Sequence, residues 1–258
     1  MLKNKRQIEI YEMLLQKGSV KNRDLCQKFG VSDMTIRRDM DQLTNMQGVI
    51  RTHGGALYSA GLTDRKFGTE QLMMTQAKEQ IAVKALSFLQ GSQSLFIDSG
   101  TTTVYVAKKL PMDSKNIVLS NNLRIVQEVS ERPDVSVMII GGSLRKGGLS
   151  CYGSQTEEQI RSYHMDIAFL GASAVGIDGS LYDGYLPEVG VKKSIITSSQ
   201  KVYVLVDSTK FDKRSLAIYG NVRDVTGIIT DPGIDDRTYA QLTKAGANII
   251  IAEYGYPM

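Results

Sequence analysis

A chain of 258 residues with 42% hydrophobic and 22% charged side chains has the material for one large domain, or for a small domain beside a larger one. No apolar run approaches a membrane span, the N-terminal Met-Leu-Lys-Asn-Lys-Arg is charged rather than signal-like, and Cys26 and Cys151 are too few for a disulfide framework, so a cytoplasmic protein with no membrane partner is expected. The net charge of +4 is localised: residues 1–55 hold ten basic and six acidic side chains, while the remainder is balanced at 21 of each. That asymmetry points to a polyanion partner for the first fifth of the chain alone.

Lys5 to Lys17 has helical apolar spacing, with Ile8, Tyr11 and Leu15 on one face, Ile10 and Leu14 beside it, and Gly18 as the stop. A shorter helix is expected to start at Asn22 as its cap, to bury Leu25 and Phe29, and to close on a left-handed Gly30. Ser32 then caps a third helix whose apolar stripe, Ile36, Met40 and Leu43, is narrow. Met34, Arg38 and Asn45 fall opposite that stripe, flanked by Thr35 and Arg37. Two short helices joined so tightly form a helix-turn-helix with the second as the reader. Arginine pairs bidentately with guanine, threonine touches a base edge or phosphate, and a helix N-terminus such as that at Ser32 favours phosphate. Beyond Met46-Gln47-Gly48, the segments Val49–Thr52 and Ala56–Tyr58 around His53-Gly54-Gly55 read as a hairpin, a wing that carries Arg51 and His53 toward the adjacent backbone or minor groove. The DNA-contacting set is therefore Ser32, Thr35, Arg37, Arg38, Arg51 and His53.

From residue 58 to 74 the apolar pattern fades and a linker is expected, dividing a head at 1–57 from a larger domain at 75–258. Glu79–Leu89 is helical and closed by Gly91. Strand-like runs then follow at Ser94–Asp98, Asn116–Ser120, Val135–Ile140, Asp166–Gly171, Lys201–Asp207, Val225–Thr230 and Asn248–Ala252. Helical segments alternate with them at Thr103–Leu110, Leu123–Glu131, Gln155–Tyr163, Val189–Ser199 and Asp236–Lys244. Such alternation predicts an α/β domain on a largely parallel sheet, with ligands beyond the carboxyl ends of its strands. One such end, Asp98-Ser99-Gly100-Thr101-Thr102-Thr103, runs straight into a helix: a glycine admits backbone N–H groups to an anion, the helix start adds partial positive charge, and four hydroxyls can donate. It lacks the Gly-Lys-Ser/Thr ending of the nucleotide P-loop and the spaced glycines of a dinucleotide fingerprint. Other strand ends add Asn121, Gly141-Gly142, Gly171-Ala172-Ser173 and Asp207-Ser208-Thr209-Lys210-Phe211. Lys192 and Lys210 are the cations available to a phosphate there.

Val31-Ser32…Thr35-Ile36-Arg37-Arg38-Asp39…Leu43 followed by Arg51-Thr52-His53-Gly54-Gly55-Ala56 resembles the winged-helix signature of the DeoR family of bacterial sugar-metabolism repressors. The likeness extends to Asp98-Ser99-Gly100-Thr101-Thr102, Gly141-Gly142-Ser143-Leu144-Arg145, Asp166–Gly171 and Asp207–Phe211, which look like that family's effector domain. The resemblance implies a winged helix-turn-helix head, an effector domain similar in fold to ribose-5-phosphate isomerase, a phosphorylated sugar as the small-molecule effector, and repression of carbohydrate-metabolism genes at a double-stranded DNA operator. In the head, Asp39 is read as holding an arginine in place, since phosphate would repel it. A homo-oligomer is expected, because repeated half-sites multiply affinity and specificity. The rival is a sugar-phosphate isomerase with an accessory DNA-binding head, for which Asp98, Asp166 and Glu188 are the available bases. His53 and His164 are the only histidines, no nucleophile–base–orienter set forms, and no cluster has metal-ligand spacing, so neither a catalytic centre, a metal nor a cofactor is expected.

Overall fold

The computed structural model describes residues 4–17, 19–44, 46, 49–52, 54–58 and 74–253. Contacts divide the chain into two compact units, Met1–Met73 and Met74–Met258. His53, Asn45 and residues 59–73 of the expected linker lie outside the described residues.

The smaller unit runs α1 (Lys5–Lys17), β1 (Ser19–Lys21), α2 (Asn22–Phe29), α3 (Asp33–Leu43), β2 (Val49–Thr52) and β3 (Gly55–Tyr58). Gly30 closes α2 at φ +62°, a conformation that L side chains resist. Ser32 caps α3, its Oγ accepting from the Thr35 N–H at 3.3 Å. Ile36, Met40 and Leu43 are fully buried against Ile10, Leu14 and Leu25.

Two expectations need correction. The buried face of α1 is Gln7, Ile10, Tyr11 and Leu14, and Ile8 is only half-buried. The helix is rotated because Gln7 Nε2 donates to Asp39 Oδ1 and to Gln42 Oε1, each at 2.9 Å. An inward-facing glutamine is invisible to a count of apolar spacing. Asn22 is the first residue of α2 rather than its cap, preceded by an extended Lys21 with no capping side chain. Its N–H instead donates to the Gly54 carbonyl at 2.8 Å, which ties the start of α2 to the turn of the wing.

The wing itself forms as expected, β2 pairing antiparallel with β3. A third strand joins it: β1 pairs with β3, Val20 opposite Ala56. Three residues are too short an alternation to announce a strand. Gly55 permits the pairing, since a β-carbon there would lie 1.9 Å from the Val20 carbonyl oxygen.

The larger unit runs α4 (Thr75–Leu86), β4 (Ser94–Ile97), α5 (Thr103–Lys109), β5 (Ile117–Ser120), α6 (Leu123–Ser130), β6 (Ser136–Ile139), β7 (Ser143–Arg145), β8 (Ser150–Tyr152), α7 (Ser154–Arg161) and β9 (Met165–Gly171). It continues through β10 (Ala174–Val175), β11 (Ser180–Asp183), α8 (Glu188–Thr197), β12 (Ser199–Leu205), β13 (Ala217–Asn221), β14 (Gly227–Thr230), α9 (Asp236–Lys244) and β15 (Ile249–Ile251). The seven runs read as strands form one wholly parallel sheet, ordered β15-β14-β12-β9-β4-β5-β6. Side chains alternate between two covered faces. Phe96, Ala168, Leu170, Val202 and Val204 meet Ile160, Val191, Ile195 and Leu242 of α7–α9. Leu95, Ile97, Ile167, Phe169, Tyr203 and Leu205 meet Ile81, Val104 and Ile125 of α4–α6. Burial on both faces is why these strands read as continuous apolar runs, and each buried aliphatic side chain contributes about 1.5–3 kcal/mol of transfer free energy.

From β4 the chain winds through α5, β5, α6 and β6 to one side, then crosses back to place β9 on the other side. The carboxyl ends of β4 and β9 therefore flank the point where the winding reverses, the usual ligand crevice of an open α/β sheet. The hairpin β7–β8 and the three-stranded sheet β10-β11-β13 were not anticipated.

Asp39 is the buried polar centre of the head. Burial works to raise its pKa, but hydrogen bonds from Arg6 and Gln7 and the Arg6 charge together outweigh it and hold the carboxyl below the ordinary range. The Arg6 Nε lies 2.6 Å from Asp39 Oδ2. A depressed folded pKa stabilises the head above the ordinary carboxylate range, and that stability is lost as pH falls through the folded value. Asp39→Ala should lower the opening free energy of α1 and α3 amides by about 1–3 kcal/mol near neutral pH, read by native-state hydrogen exchange. The deficit should shrink on acidification; equal exchange in both proteins at pH 7 would show that the tie stabilises nothing.

Candidate functional site

Asp98 leaves β4 fully inside the protein. Its Oδ2 accepts from the Gly171 N–H at 3.0 Å and from Lys192 Nζ at 2.8 Å, so one carboxylate staples the ends of β4 and β9 to α8. Lys192, 3% exposed, also donates to the Gly171 carbonyl and lies 3.1 Å from Asp183 Oδ2 at the end of β11. Two of the ammonium's N–H donors are thus hydrogen-bonded, and Asp183 adds an ion pair. The Tyr219 ring lies 5.1 Å away, and its hydroxyl donates to the same Gly171 carbonyl at 3.2 Å. Burial disfavours the charged lysine, but Asp98 and Asp183 outweigh it and hold its pKa well above the ordinary value.

Glu188 opens α8 one turn before Lys192 and shares its face. Its Oε1 accepts from the Ser150 hydroxyl and lies 3.3 Å from Ser99 Oγ, while Oε2 is 3.2 Å from Arg145 Nη1. The Arg145 guanidinium stacks over Tyr185 at 4.0 Å, and Tyr185 meets Tyr152 edge-on. Burial, then the Asp183 and Asp98 carboxylates, push the Glu188 pKa up against the opposing pull of Lys192 and Arg145. The folded state thus holds this proton more tightly than the unfolded one, so ionising Glu188 lowers stability as pH rises above the usual 4.5 toward its folded value. Three carboxylates face two cations in this cluster.

The loop 98–103 divides its hydroxyls. Ser99 Oγ is turned toward Glu188, and Thr103 Oγ1 donates to the Asp98 carbonyl with the Gly100 carbonyl at 2.8 Å as alternative acceptor. Among the described residues none bonds the hydroxyls of Thr101 and Thr102. Gly100 and Gly171 pack backbone to backbone, a β-carbon on Gly171 falling 3.3 Å from Gly100 Cα. Of the two lysines considered for a phosphate, Lys192 has its donors engaged. Lys210 sits half-buried on the 3-10 turn Ser208–Lys210 that follows β12, two strands from β4. Asp183 went unread because β11 is a short strand of a small second sheet; its trace in the sequence is Leu181-Tyr182-Asp183-Gly184, a β-favouring pair before an Asp-Gly turn. Arg145 and Ser150 come from a hairpin of three-residue strands that gave no periodicity.

In the head, Arg38 is exposed with no partner among the described residues, beside Met34 at 64% exposure. Arg37 pairs with Asp33 at 2.6 Å on the same exposed face. The Thr35 hydroxyl lies 2.9 Å from Ser32 Oγ at the start of α3, and Arg51 on β2 lies 3.8 Å from Asp41 Oδ1. Among the described residues no group of three or more His, Cys, Asp and Glu could hold a metal, and no helix is long and apolar enough to cross a membrane.

Removing Lys192 leaves two carboxylates facing each other in the interior. Lys192→Met should destabilise the larger unit by about 3–5 kcal/mol, read from its thermal or denaturant unfolding. A loss below about 1 kcal/mol, the range of an exposed pair, would show that the ammonium is not what balances Asp98 and Asp183.

The DeoR-like helix-turn-helix domain matches residues 6–60, and the DeoR C terminal sensor domain matches residues 73–232. The chain is 32% identical over 222 residues to the glycerol-3-phosphate regulon repressor of Escherichia coli (strain K12), covering 86% of this chain and 88% of that one. It is 29% identical over 228 residues to the HTH-type transcriptional regulator IolR of Bacillus subtilis (strain 168), covering 88% and 91%. The ribose 5-phosphate isomerase A structure from Neisseria gonorrhoeae aligns over 53% of each chain with 16% identity and a TM-score of 0.39, too loose a likeness to speak about chemistry. Matched in both of its units, the chain belongs to the DeoR family of DNA-binding transcriptional regulators.

Proposed function

We propose that this regulator represses carbohydrate-metabolism genes, that α3 reads its operator, and that a phosphorylated sugar bound at the strand-end cluster of the larger unit relieves the repression. The observation that carries this reading is the buried set Asp98, Asp183, Glu188 and Lys192 with the half-buried Arg145 at the reversal point of a parallel sheet, beside a loop with two hydroxyls unbonded among the described residues. Its charge balance assigns the two ends of the ligand. Three carboxylates against two cations repel a phosphate and accept hydroxyls, so the sugar end sits on the cluster. The phosphate end sits on Gly100, Thr101 and Thr102, where backbone N–H groups and hydroxyls donate, with Lys210 as the nearby cation. Lys192 then acts through Asp98 and Asp183, holding their carboxylates in place as acceptors. Ser99 and Thr103 hold the loop. The glycerol-3-phosphate regulon repressor, named for a phosphorylated polyol, supports the ligand class.

In the head, Thr35, Arg37 and Arg38 face the major groove, the α3 start at Ser32 meets phosphate, and Arg51 reaches the adjacent backbone or minor groove. Two or more heads in a symmetric oligomer supply paired half-sites.

Operator DNA can be recovered by selection from random duplexes and its binding followed by fluorescence anisotropy. Arg38→Ala should lose about 1–3 kcal/mol with relaxed preference at one base pair. Arg51→Ala should weaken all sequences alike and flatten the salt dependence. Undiminished binding by a folded Arg37→Ala/Arg38→Ala protein would remove α3 as the reader.

Saturating effector should lower wild-type operator affinity by about 5–150-fold, the usual span of allosteric coupling. Thr101→Ala and Lys210→Ala should bind operator near wild type yet need far more effector for the same loss, because their free energy lies in ligand contacts. If both respond at wild-type effector concentrations, the phosphate sits elsewhere.

A further inference from the structure

Asn121 follows β5 directly, at the same carboxyl edge of the sheet as Asp98, and is fully buried. β8 holds it twice: the Cys151 N–H donates to the Asn121 carbonyl at 2.7 Å, and Asn121 Nδ2 donates to the Cys151 carbonyl at 2.8 Å. A carbonyl accepts only from the nitrogen end of the amide, so the orientation of the side chain is fixed. Its Oδ1 is left buried with no hydrogen-bond partner among the described residues.

The polar side chains next to it in sequence, and Ser150 beside Cys151, are engaged. Ser120 Oγ donates to the Ile97 carbonyl, Asn122 Nδ2 donates to the Gly148 carbonyl at 2.8 Å while its Oδ1 caps α6, and Ser150, next to Cys151, donates to Glu188. The orphan oxygen thus belongs to the layer of strand ends that carries Asp98 and, through Ser150, Glu188. Leaving it unpaired costs about 1–3 kcal/mol, which calls for a donor.

We infer that Asn121 is a specificity-determining residue of the effector site, its Oδ1 accepting a hydrogen bond from a hydroxyl of the ligand. This rests on the proposed effector site and narrows the ligand class. Asn121 Oδ1 and the carboxylates of Asp98, Asp183 and Glu188 are all acceptors, so the end of the ligand that meets them is rich in donors. It is a polyhydroxylated carbon chain, and a keto or carboxylate oxygen at the Asn121 position is rejected because two acceptors would face each other.

The test titrates the full-length protein calorimetrically with glycerol 3-phosphate, ribose 5-phosphate, fructose 6-phosphate and glucose 6-phosphate. The best binder is then replaced in turn by each of its singly deoxygenated analogues. One deoxygenation should weaken wild-type binding by about 5–150-fold, the range corresponding to one orphaned buried acceptor. Asn121→Leu should bind that analogue as well as the parent sugar. Loosening of the β8 contact shifts all analogues alike and drops out of this double difference. If no deoxygenation costs the wild type more than about twofold, or if Asn121→Leu keeps the full discrimination, Asn121 does not read a hydroxyl and water satisfies it. If the wild type binds none of the four phosphates, the effector site itself is wrong and this inference falls with it.

Discussion

The larger unit depends on one ammonium. Lys192 Nζ holds Asp98, Asp183 and the Gly171 carbonyl at once, and these belong to the ends of β4, β11 and β9. Buried ion pairs gain little net stability, because desolvation of both charges offsets most of their attraction. An apolar core of the same shape would hold the sheet as well. What the charges provide is geometry: a lysine bonded to Asp98 and the Gly171 carbonyl and paired with Asp183 cannot shift without leaving a carboxylate alone in the interior. The cluster therefore fixes how far apart the carboxyl ends of β4 and β9 stand, at the reversal point where open α/β sheets usually bind ligands. Gly100 and Gly171 complete the constraint, their backbones in close contact, so that a β-carbon on Gly171 would fall 3.3 Å from Gly100 Cα.

The head uses the same device on a smaller scale. Asp39 lies inside α3 and is satisfied from α1 by Arg6 and Gln7. That tie sets the rotation of α3 about its axis, and with it the direction in which Arg38 and Met34 project. A reading helix must hold its outer side chains in register with base edges, and a polar tie specifies rotation better than an apolar stripe of three residues.

The order and kind of nearly every long element were legible in the sequence, and the reasons are physical. The seven sheet strands are apolar on both faces, so each stood out as a run between helical segments. Gly30 and Ser32 marked the turn between α2 and α3 because each residue type has one conformational reason to be there. The role of Asp39 followed from charge: a carboxylate on a helix expected to read DNA is better placed against an arginine than against phosphate. Other features were illegible for equally definite reasons. Gln7 turned α1 away from its apparent apolar face. The strands β1, β7, β8, β10 and β11 are two to four residues long and depend on neighbours distant in sequence. The site suffered most from this, since Asp183, Arg145 and Ser150 all sit on those short strands. The loop at 98–103 was visible as a strand end rich in hydroxyls. That two of those hydroxyls, Ser99 and Thr103, face inward depends on Glu188 and the Asp98 carbonyl, which only the fold brings near.

If an effector occupies the strand-end cluster, it must change the backbone protection of the segments that surround it. Hydrogen exchange of the full-length protein, with and without a saturating sugar phosphate identified by calorimetry, reads this directly. The account predicts slower exchange in the stretches 98–103, 145–152 and 183–192 together, since one ligand would bridge all three. Unchanged exchange in these stretches, with protection appearing elsewhere in the larger unit, would contradict it.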